Sequence, residues 1–186
     1  MPTSLVILAD THVPKRARDL PPEVWAAIEL ADVTIHAGDW VEVSLLDEIE
    51  QRSRRVIGVV GNNDGDALRA RLPEVASATI DGVRFAVVHE TGQAVGRERR
   101  LDAAFAGVDV LVFGHSHIPW DTVSPAGMRV LNPGSPTDRR RQPKATFMTA
   151  VADAGGLHDI RLIELDPGWR AERRAPAPAW LGDAGD

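Results

Sequence analysis

The chain contains no cysteine, has lysine at only two positions, and has no long apolar run. Without cysteine neither disulfides nor thiolate ligands are available, so a bound metal must be held by imidazole, carboxylate, amide or backbone oxygen. The first ten residues lack a basic leader, and no stretch approaches the roughly 20 apolar residues of a membrane span. We therefore expect a cytoplasmic protein without a signal peptide or a membrane segment.

Basic residues are outnumbered by acidic ones, 21 to 27, which gives a formal net charge of -6. This balance argues against binding long nucleic acid through bulk electrostatics, although a local basic site stays open. What is present is ordinary: 186 residues, 44% of them hydrophobic, fit one domain with a real core. We expect that domain to span residues 1–166, followed by a loose tail rich in Pro and Ala over 167–186.

Short apolar runs alternate with helical patterns in the first third of the chain. Ser4–Ala9, Val33–His36 and Arg55–Val60 are predicted to be strands. Leu20–Leu30 and Val43–Ile49 have helical spacing and lie between those strands. This alternation indicates βαβ units and a parallel sheet.

The later part of the chain is richer in strands. The β-prone runs Val75–Ile80 and Val83–Val88 are joined by Asp81-Gly82, which predicts a hairpin. A helix over Arg97–Phe105 and a buried strand over Asp109–Phe113 should follow. Four further runs are expected to be consecutive antiparallel strands: Trp120–Val123, Met128–Leu131, Thr146–Val151 and Ile160–Leu165. The fold class is therefore α/β, with two packed mixed sheets flanked by helices.

Metal-capable side chains follow five of these strands, where each strand ends. Ligand sites gather at the carboxyl ends of strands in open α/β sheets, so these residues should converge in space. Asp, His and Asn suit Mn, Fe, Zn and similar ions, and one carboxylate can bridge two ions about 3.5–4 Å apart. The candidate ligands are Asp10, His12, Asp39, Asn62, His89, His115 and His117.

Each candidate also has a purely structural interpretation. Asp10 and Asp39 could cap a turn or a helix, and Asn62 belongs to a residue type that is common in turns. His89, a lone histidine at a strand end, could be structural. The pair in His115–His117 is hard to explain without a function.

Other polar residues receive weaker assignments. His36 lies inside a strand pattern and is expected to be a core or supporting histidine, and His158 should be exposed. The run Arg139–Arg141 fits a solvated surface, but it could instead clamp a phosphate near the turn at Asn132–Ser135. Arg139 is the candidate substrate contact in that run.

The ordered motifs D-x-H, G-D, G-N-x-D, H and G-H-x-H resemble the calcineurin-like metallophosphoesterase superfamily. Chain length and the later Asn132–Ser135 motif resemble its small single-domain phosphodiesterase branch. The resemblance runs from about Ser4 to Val151. It implies one metal on Asp10, His12 and His117, a second on Asn62, His89 and His115, and Asp39 as the bridge.

The resemblance also implies a function. It predicts a dinuclear metal-dependent phosphoesterase, foremost a phosphodiesterase, that hydrolyses small phosphodiesters or phosphomonoesters with a hydroxide held between the metals. Manganese is the first expectation for the two divalent ions, and Fe, Zn, Ni, Mg and Co are alternatives. The expected partner is a small phosphoester, and a homo-oligomer is possible because similar relatives often self-associate.

Two positions depart from the family pattern. Many members carry a histidine after the G-N pair, but here that residue is Asn63, whose amide donates a hydrogen bond and cannot act as a general acid. Asn63 and Asp64 are the candidate catalytic residues, Asn63 as a substrate contact and Asp64 as a support for the loop or a neighbouring ligand. Glu90 stands where relatives usually have glycine, and it either adds negative charge or supports a ligand.

Two non-enzymatic functions compete with hydrolysis. A retromer scaffold subunit is similar in fold, has lost part of the ligand set and works as a protein-binding surface. A metal-binding or regulatory module without turnover is the other. The four histidines His12, His89, His115 and His117 favour the enzyme, since a scaffold would not need them.

Overall fold

A computed structural model describes residues 1–166, in which ten strands form two five-stranded sheets. The helices of this part are α1 (Pro22–Leu30), α2 (Val43–Arg52), α3 (Asp66–Arg69) and α4 (Arg97–Ala104). The strands are β1 (Thr3–Leu8), β2 (Val33–His36), β3 (Val56–Gly58), β4 (Val75–Ile80), β5 (Val83–Val88), β6 (Val110–Val112), β7 (Trp120–Val123), β8 (Arg129–Asn132), β9 (Thr146–Asp153) and β10 (Gly156–Glu164).

The first sheet has the strand order β10-β9-β1-β2-β3. Strands β1, β2 and β3 are parallel and are connected by α1 and α2, which confirms the predicted βαβ units. β1 and β2 are buried almost throughout because both of their faces are covered. β9 pairs antiparallel with β1 on one side and with β10 on the other.

The second sheet has the order β4-β5-β6-β8-β7. The predicted hairpin is confirmed: β4 and β5 pair antiparallel across Asp81 and Gly82, both of which have positive φ. The expected late antiparallel pairing is confirmed for β7 with β8 and for β9 with β10. It is wrong between β8 and β9, because they lie in different sheets and β8 pairs parallel with β6 on its other side. β8 takes an interior place between β6 and β7 because it is almost fully buried, whereas β7 alternates between half-buried and exposed residues and suits an edge.

The hydrophobic core lies between the two sheets, and a further apolar cluster covers each outer face. The inner cluster includes Leu5 and Ile35 from the first sheet and Phe85 and Val112 from the second. The helices α1 and α2 cover the outer face of the first sheet. α4 contributes Leu101 to the cluster on the outer face of the second sheet. This arrangement confirms two packed mixed sheets flanked by helices.

The parallel strands of both sheets end at one edge of the sandwich, which we call the carboxyl edge. The opposite edge carries the turns at Asp81–Gly82, 124–128 and 153–156. The one-turn helix α3 was not predicted, because four residues are too short to show a helical period. Across residues 1–166, no helix is both long and apolar enough to pass through a membrane. The expected tail over 167–186 lies outside the described residues.

Candidate metal centre

The loops at the carboxyl edge hold the candidate ligands in unusual backbone conformations. The backbone N–H of Asp10 donates to the Gly38 carbonyl at 2.9 Å, and that of His12 donates to the Asp39 carbonyl at 3.0 Å. Left-handed backbone is uncommon for residues with side chains and costs on the order of 1–3 kcal/mol each, so such residues cluster at functional sites. The ligand candidates with φ between 45° and 67° are Asp10, His12, Asp39, His115 and His117.

Asp10, His12 and His117 form the first group of ligands. All three side chains are buried, and their ligand atoms lie within 4.8 Å of one another. The Nε2 atoms of His12 and His117 are 3.2 Å apart, and His117 Nε2 lies 3.5 Å from Asp10 Oδ1. Among the described residues, Asp10 Oδ2 is buried and has no hydrogen-bond partner. A buried, unpaired carboxylate oxygen beside two imidazole nitrogens fits a divalent cation.

The protonation energetics of this group fit a cation as well. Burial, followed by repulsion from Asp39, raises the pKa of Asp10 well above its usual value. Burial lowers the pKa of His12, and it lowers that of His117 to about 4. A bound cation favours the carboxylate and the neutral imidazoles, which are the forms that ligate metals.

Asp39 joins the first group to the second. Its Oδ2 lies 3.5 Å from His12 Nε2, and its Oδ1 lies 3.4 Å from His89 Nε2. Asn62 Oδ1 lies 2.9 Å from both His89 Nε2 and His115 Nδ1. Asp39 also forms a group with Asp10 and His89 whose ligand atoms lie within 4.8 Å of one another, close enough to hold a metal ion. The structure therefore brings all seven candidate ligands together, with Asp39 in the middle.

Asp64 does not face this cluster, because both of its oxygens bind backbone. Its Oδ2 accepts hydrogen bonds from the N–H groups of Gly61 at 2.7 Å and Asp39 at 3.1 Å, and its Oδ1 accepts one from Val41 at 2.7 Å. The carboxylate thus fastens the loop after β3 to the loop after β2. These contacts fit the suggested supporting role of Asp64 better than a direct role in the reaction.

Asn63 lies at the mouth of the cluster and contacts the central carboxylate. Its backbone N–H donates to Asp39 Oδ1 at 2.8 Å, and its side-chain Nδ2 donates to Asp39 Oδ2 at 2.7 Å. Burial raises the pKa of Asp39, but the nearby His89 and these hydrogen bonds outweigh burial and lower it overall. Asp39 is therefore held in its ionised form.

His36 lies in the core and contacts the loop that carries Asp10 and His12, as expected for a core histidine. It is completely buried, its Nε2 lies 3.0 Å from Thr11 Oγ1, and its ring stacks on Trp40 at 3.6 Å. Burial, followed by the nearby His89, lowers its pKa well below the usual value, so it packs as a neutral ring. His158 is exposed as predicted, and its Nε2 pairs with Asp153 at 3.0 Å.

The loop after β8 also supports the ligands, and sequence reasoning missed most of it. Ser135 Oγ donates to the Asp10 carbonyl at 2.7 Å, and His117 Nδ1 lies 2.5 Å from the Asp138 carbonyl. Asn132 Nδ2 donates to the Gly114 carbonyl at 2.8 Å. The sequence motif Asn132–Ser135 indicated that this loop could support the ligands. Asp138 acts through its backbone carbonyl, so its side chain gave no indication of its role.

The arginine run differs in detail from the sequence expectation. Arg139, the arginine assigned to the substrate, is exposed and donates to the Gln142 carbonyl at 2.5 Å within its own turn. Arg140 is the member of the run that lines the cleft beside His12 and Asn63. Glu90 is exposed, with Oε1 4.0 Å from His115 Nε2.

A sandwich of two mixed sheets with Asp, Asn and His side chains gathered at its carboxyl edge is the arrangement of a metallophosphoesterase. Residues 4–155 match the family model described as the calcineurin-like phosphoesterase superfamily domain. The chain therefore belongs to the calcineurin-like phosphoesterase superfamily.

Individual relatives agree with this assignment. The chain is 33% identical over 148 residues to a probable metallophosphoesterase of Methanocaldococcus jannaschii, covering 79% of this chain and 75% of that protein. It is 28% identical over 129 residues to a phosphodiesterase of the same organism, covering 60% of this chain and 71% of that protein. The structure of vacuolar protein sorting 29 from Cryptosporidium parvum matches with a TM-score of 0.71 and 16% identity, covering 88% of this chain and 98% of that one. At that identity the likeness is one of fold alone.

Proposed function

We propose that this protein is a dinuclear metal-dependent phosphoesterase that hydrolyses small phosphoesters, with phosphodiesters foremost. The observation that carries the proposal is the position of Asp39, whose two oxygens face His12 and His89 at 3.5 and 3.4 Å. A carboxylate placed in this way suits a bridge between two cations. The M. jannaschii relative named as a phosphodiesterase supports the preference for diesters.

The ligand assignment follows from these contacts. Asp39 would be shared by two ions, of which manganese is the first candidate. Bound there, the two ions would supply positive charge for the phosphoryl oxygens and would lower the pKa of a nucleophilic water. One would rest on Asp10, His12 and His117, and the other on Asn62, His89 and His115.

The chain itself sets which imidazole nitrogens are free to ligate. His89 Nδ1 lies 2.8 Å from the Ala37 carbonyl, and His117 Nδ1 lies 2.5 Å from the Asp138 carbonyl. Because a carbonyl accepts only, each Nδ1 carries the proton and each Nε2 presents its lone pair to the cluster. Backbone carbonyls thus orient both rings before a metal arrives.

Asn63 limits the chemistry that the chain can add. It is the side chain nearest to Asp39 at the mouth of the site, and its amide donates hydrogen bonds but does not transfer a proton near neutral pH. The leaving oxygen must therefore depart without a proton from this position, so the site favours leaving groups that are stable as anions, such as aryl oxides.

The direct test of this function is hydrolysis of bis-p-nitrophenyl phosphate by metal-free protein supplied with Mn²⁺, Fe²⁺, Zn²⁺, Ni²⁺, Mg²⁺ or Co²⁺ in turn. We expect turnover that requires added metal and that falls at least about 1,000-fold in His117→Ala, because ligand loss removes several kcal/mol of charge stabilisation. His158→Ala, at the opposite edge, is the matched control and should retain full activity.

Absence of turnover with every metal would overturn the proposal and leave the non-catalytic scaffold of the same fold as the better account. Full activity in His117→Ala would show that this ligand is wrongly assigned.

A further inference from the structure

A basic cleft opens beside the first group of ligands. It has a volume of about 370 Å³, in the range of small-molecule sites, and three of its six lining residues are cationic. Three positive charges and one carboxylate at one place stand out in a chain with a net charge of -6. The residues of the basic cleft are His12, Lys15, Arg16, Asn63, Asp138 and Arg140.

The basic cleft is continuous with the metal centre. His12 and Asn63 line both, so a molecule in the cleft touches the mouth of the metal site. Arg140 Nη1 lies 3.4 Å from the carbonyl of His115, which places its charge beside the ligands. A group bound in the cleft is therefore within reach of a phosphoester whose phosphorus lies at the metals.

The cations of the cleft are held by the same loops that hold the ligands. Thr137 Oγ1 donates to the Thr11 carbonyl at 2.5 Å and fastens the loop after β8 to the loop after β1. The Arg16 N–H donates to the His12 carbonyl at 2.9 Å, and Arg16 Nε lies 3.4 Å from Asp138 Oδ2. Arg140 has a φ of 47°, a strained conformation typical of functional positions. The backbone that carries the three cations is thus fixed by the same contacts that fix the ligand loops.

In the described part of the chain, two of these cations form no close ion pair, although Arg140 also attracts the buried carboxylate of Asp10. Within residues 1–166, neither Lys15 nor Arg140 forms an ion pair, whereas Arg16 is partly neutralised by Asp138. Unpaired cations at one wall of a cleft are available to an anion, and a phosphate group offers several acceptor oxygens to such donors.

The other side of the metal centre has the opposite character. A second cleft there, of about 380 Å³, is shared with His89 and carries the carboxylates Glu74 and Glu90 together with apolar side chains. Arg69, the cation among its lining residues, is partly neutralised by Glu74 at 4.0 Å and donates two further hydrogen bonds to the Asp64 and Gly61 carbonyls at 3.1 and 3.0 Å. An anionic substituent is repelled from this side and attracted to the basic cleft.

We propose that the basic cleft binds a second phosphate group of the substrate, so that phosphoesters with another phosphate on one arm are preferred over otherwise identical neutral esters. The proposal rests on the proposed phosphoesterase function and adds the class of substrate. Lys15 and Arg140 are the specificity-determining residues, and Asp138 limits the charge at Arg16.

The test compares two series of p-nitrophenyl phosphodiesters on the Mn²⁺-loaded protein. One series ends in a phosphate and the other in a hydroxyl, with linkers of two to six methylenes so that the span is sampled. We expect the best phosphate-bearing ester to exceed its hydroxyl partner at least about tenfold in kcat/KM, with the ratio falling as salt rises. Equal kcat/KM for every pair would overturn the proposal.

Variants of Lys15 and Arg140 test whether the basic cleft causes the preference for phosphate-bearing esters. Lys15→Gln and Arg140→Gln should each lower the ratio severalfold, and the double variant should bring it close to one. Arg54→Gln, which removes an exposed arginine paired with Asp32 at the opposite edge, is the matched control and should leave the ratio unchanged. A ratio that survives the double variant would overturn the assignment to these residues.

Binding to the metal-free protein separates the two proposals. Calorimetric titration with propane-1,3-diol bisphosphate should show weaker affinity in the double variant than in the wild type or in Arg54→Gln. Unchanged affinity would overturn the role of the cleft. Failure to hydrolyse either series would instead count against the phosphoesterase function, because the binding result does not depend on turnover.

Discussion

The two edges of the sandwich use glycine for different reasons. At the opposite edge, Gly82, Gly127 and Gly156 have φ of 89°, 93° and 117°, and an added Cβ would meet no atom within 4 Å. At the carboxyl edge, a Cβ on Gly38 would lie 2.8 Å from the backbone nitrogen of Gly61, and one on Gly114 would lie 2.8 Å from the Ala37 carbonyl oxygen. Glycine at the opposite edge only allows a turn, whereas at the carboxyl edge it lets the ligand loops pack against one another.

Polar groups at the two edges differ in the same way. Asp10, Asp39 and His117 are at most 1% exposed at the carboxyl edge. At the opposite edge, Arg84 and Asp109 form an exposed two-point pair at 2.7 and 2.9 Å. Buried, mutually repelling groups in strained backbone lower stability, whereas exposed pairs add a little. The carboxyl edge should therefore determine activity, and the opposite edge should influence stability alone.

The largest expected effect concerns Asn63 and the leaving group. Aryl phosphodiesters should be hydrolysed at least about 100-fold faster than alkyl phosphodiesters that carry the same second arm, because the chain offers no general acid at this position. Initial rates of p-nitrophenyl and ethyl esters of one series measure the ratio. Asn63→His should lower the aryl-to-alkyl rate ratio, because a histidine at this position would raise the turnover of alkyl esters. Comparable aryl and alkyl rates in the wild type would sink the account of Asn63.

The next effect concerns the loop fastening at Asp64. Asp64→Ala leaves three backbone N–H groups without their acceptor, so we expect the free energy of unfolding to fall by about 3 kcal/mol. Activity should fall about 10- to 100-fold, because Asp39 and Gly61 are no longer held together. Urea unfolding measures the change in the free energy of unfolding, and the aryl phosphodiester assay measures the change in activity. Asp66→Ala, a nearby exposed carboxylate, is the control, and an Asp64 variant as active as this control would contradict the assignment.

The smallest effect belongs to the opposite edge. The hydrogen bonds from Arg84 lower the pKa of Asp109 to about 2. Because the folded-state pKa is depressed, the pair stabilises the fold above the ordinary carboxyl pKa of about 4, and this contribution is lost as pH falls towards 2. Arg84→Met should therefore show a slightly lower melting temperature at neutral pH, less so in high salt, and no difference from wild type near pH 2. A change in kcat/KM in this variant would break the comparison between the edges.

Much of this fold follows from local pattern. The hairpin of β4 and β5 and the parallel strands β1, β2 and β3 are predicted by turn residues and apolar runs, which act over short distances in sequence. Convergence of the candidate ligands follows from the same logic, because residues that end parallel strands share one edge. The position of β8 between β6 and β7 could not be predicted, since pairing order depends on burial in the complete sheet.

The directions of the loop side chains could not be predicted from the sequence either. Nothing in the run Arg139–Arg141 indicates that Arg139 turns back to its own loop while Arg140, which has a positive φ, faces the cleft. The role of the Asp138 carbonyl in orienting His117 could not be predicted either, because every residue has a backbone carbonyl. These contacts depend on how the loop after β8 packs against the loops after β6 and β1, which come together only in the folded chain.

The number of metal ions bound per chain tests the central claim most directly. Metal-free protein titrated with Mn²⁺, with bound metal measured by calorimetry and elemental analysis, should take up two ions. His117→Ala and His89→Ala should each retain one ion, because each removes a ligand from a different group around Asp39. A wild-type protein that binds one ion or none under saturating metal would contradict the dinuclear account.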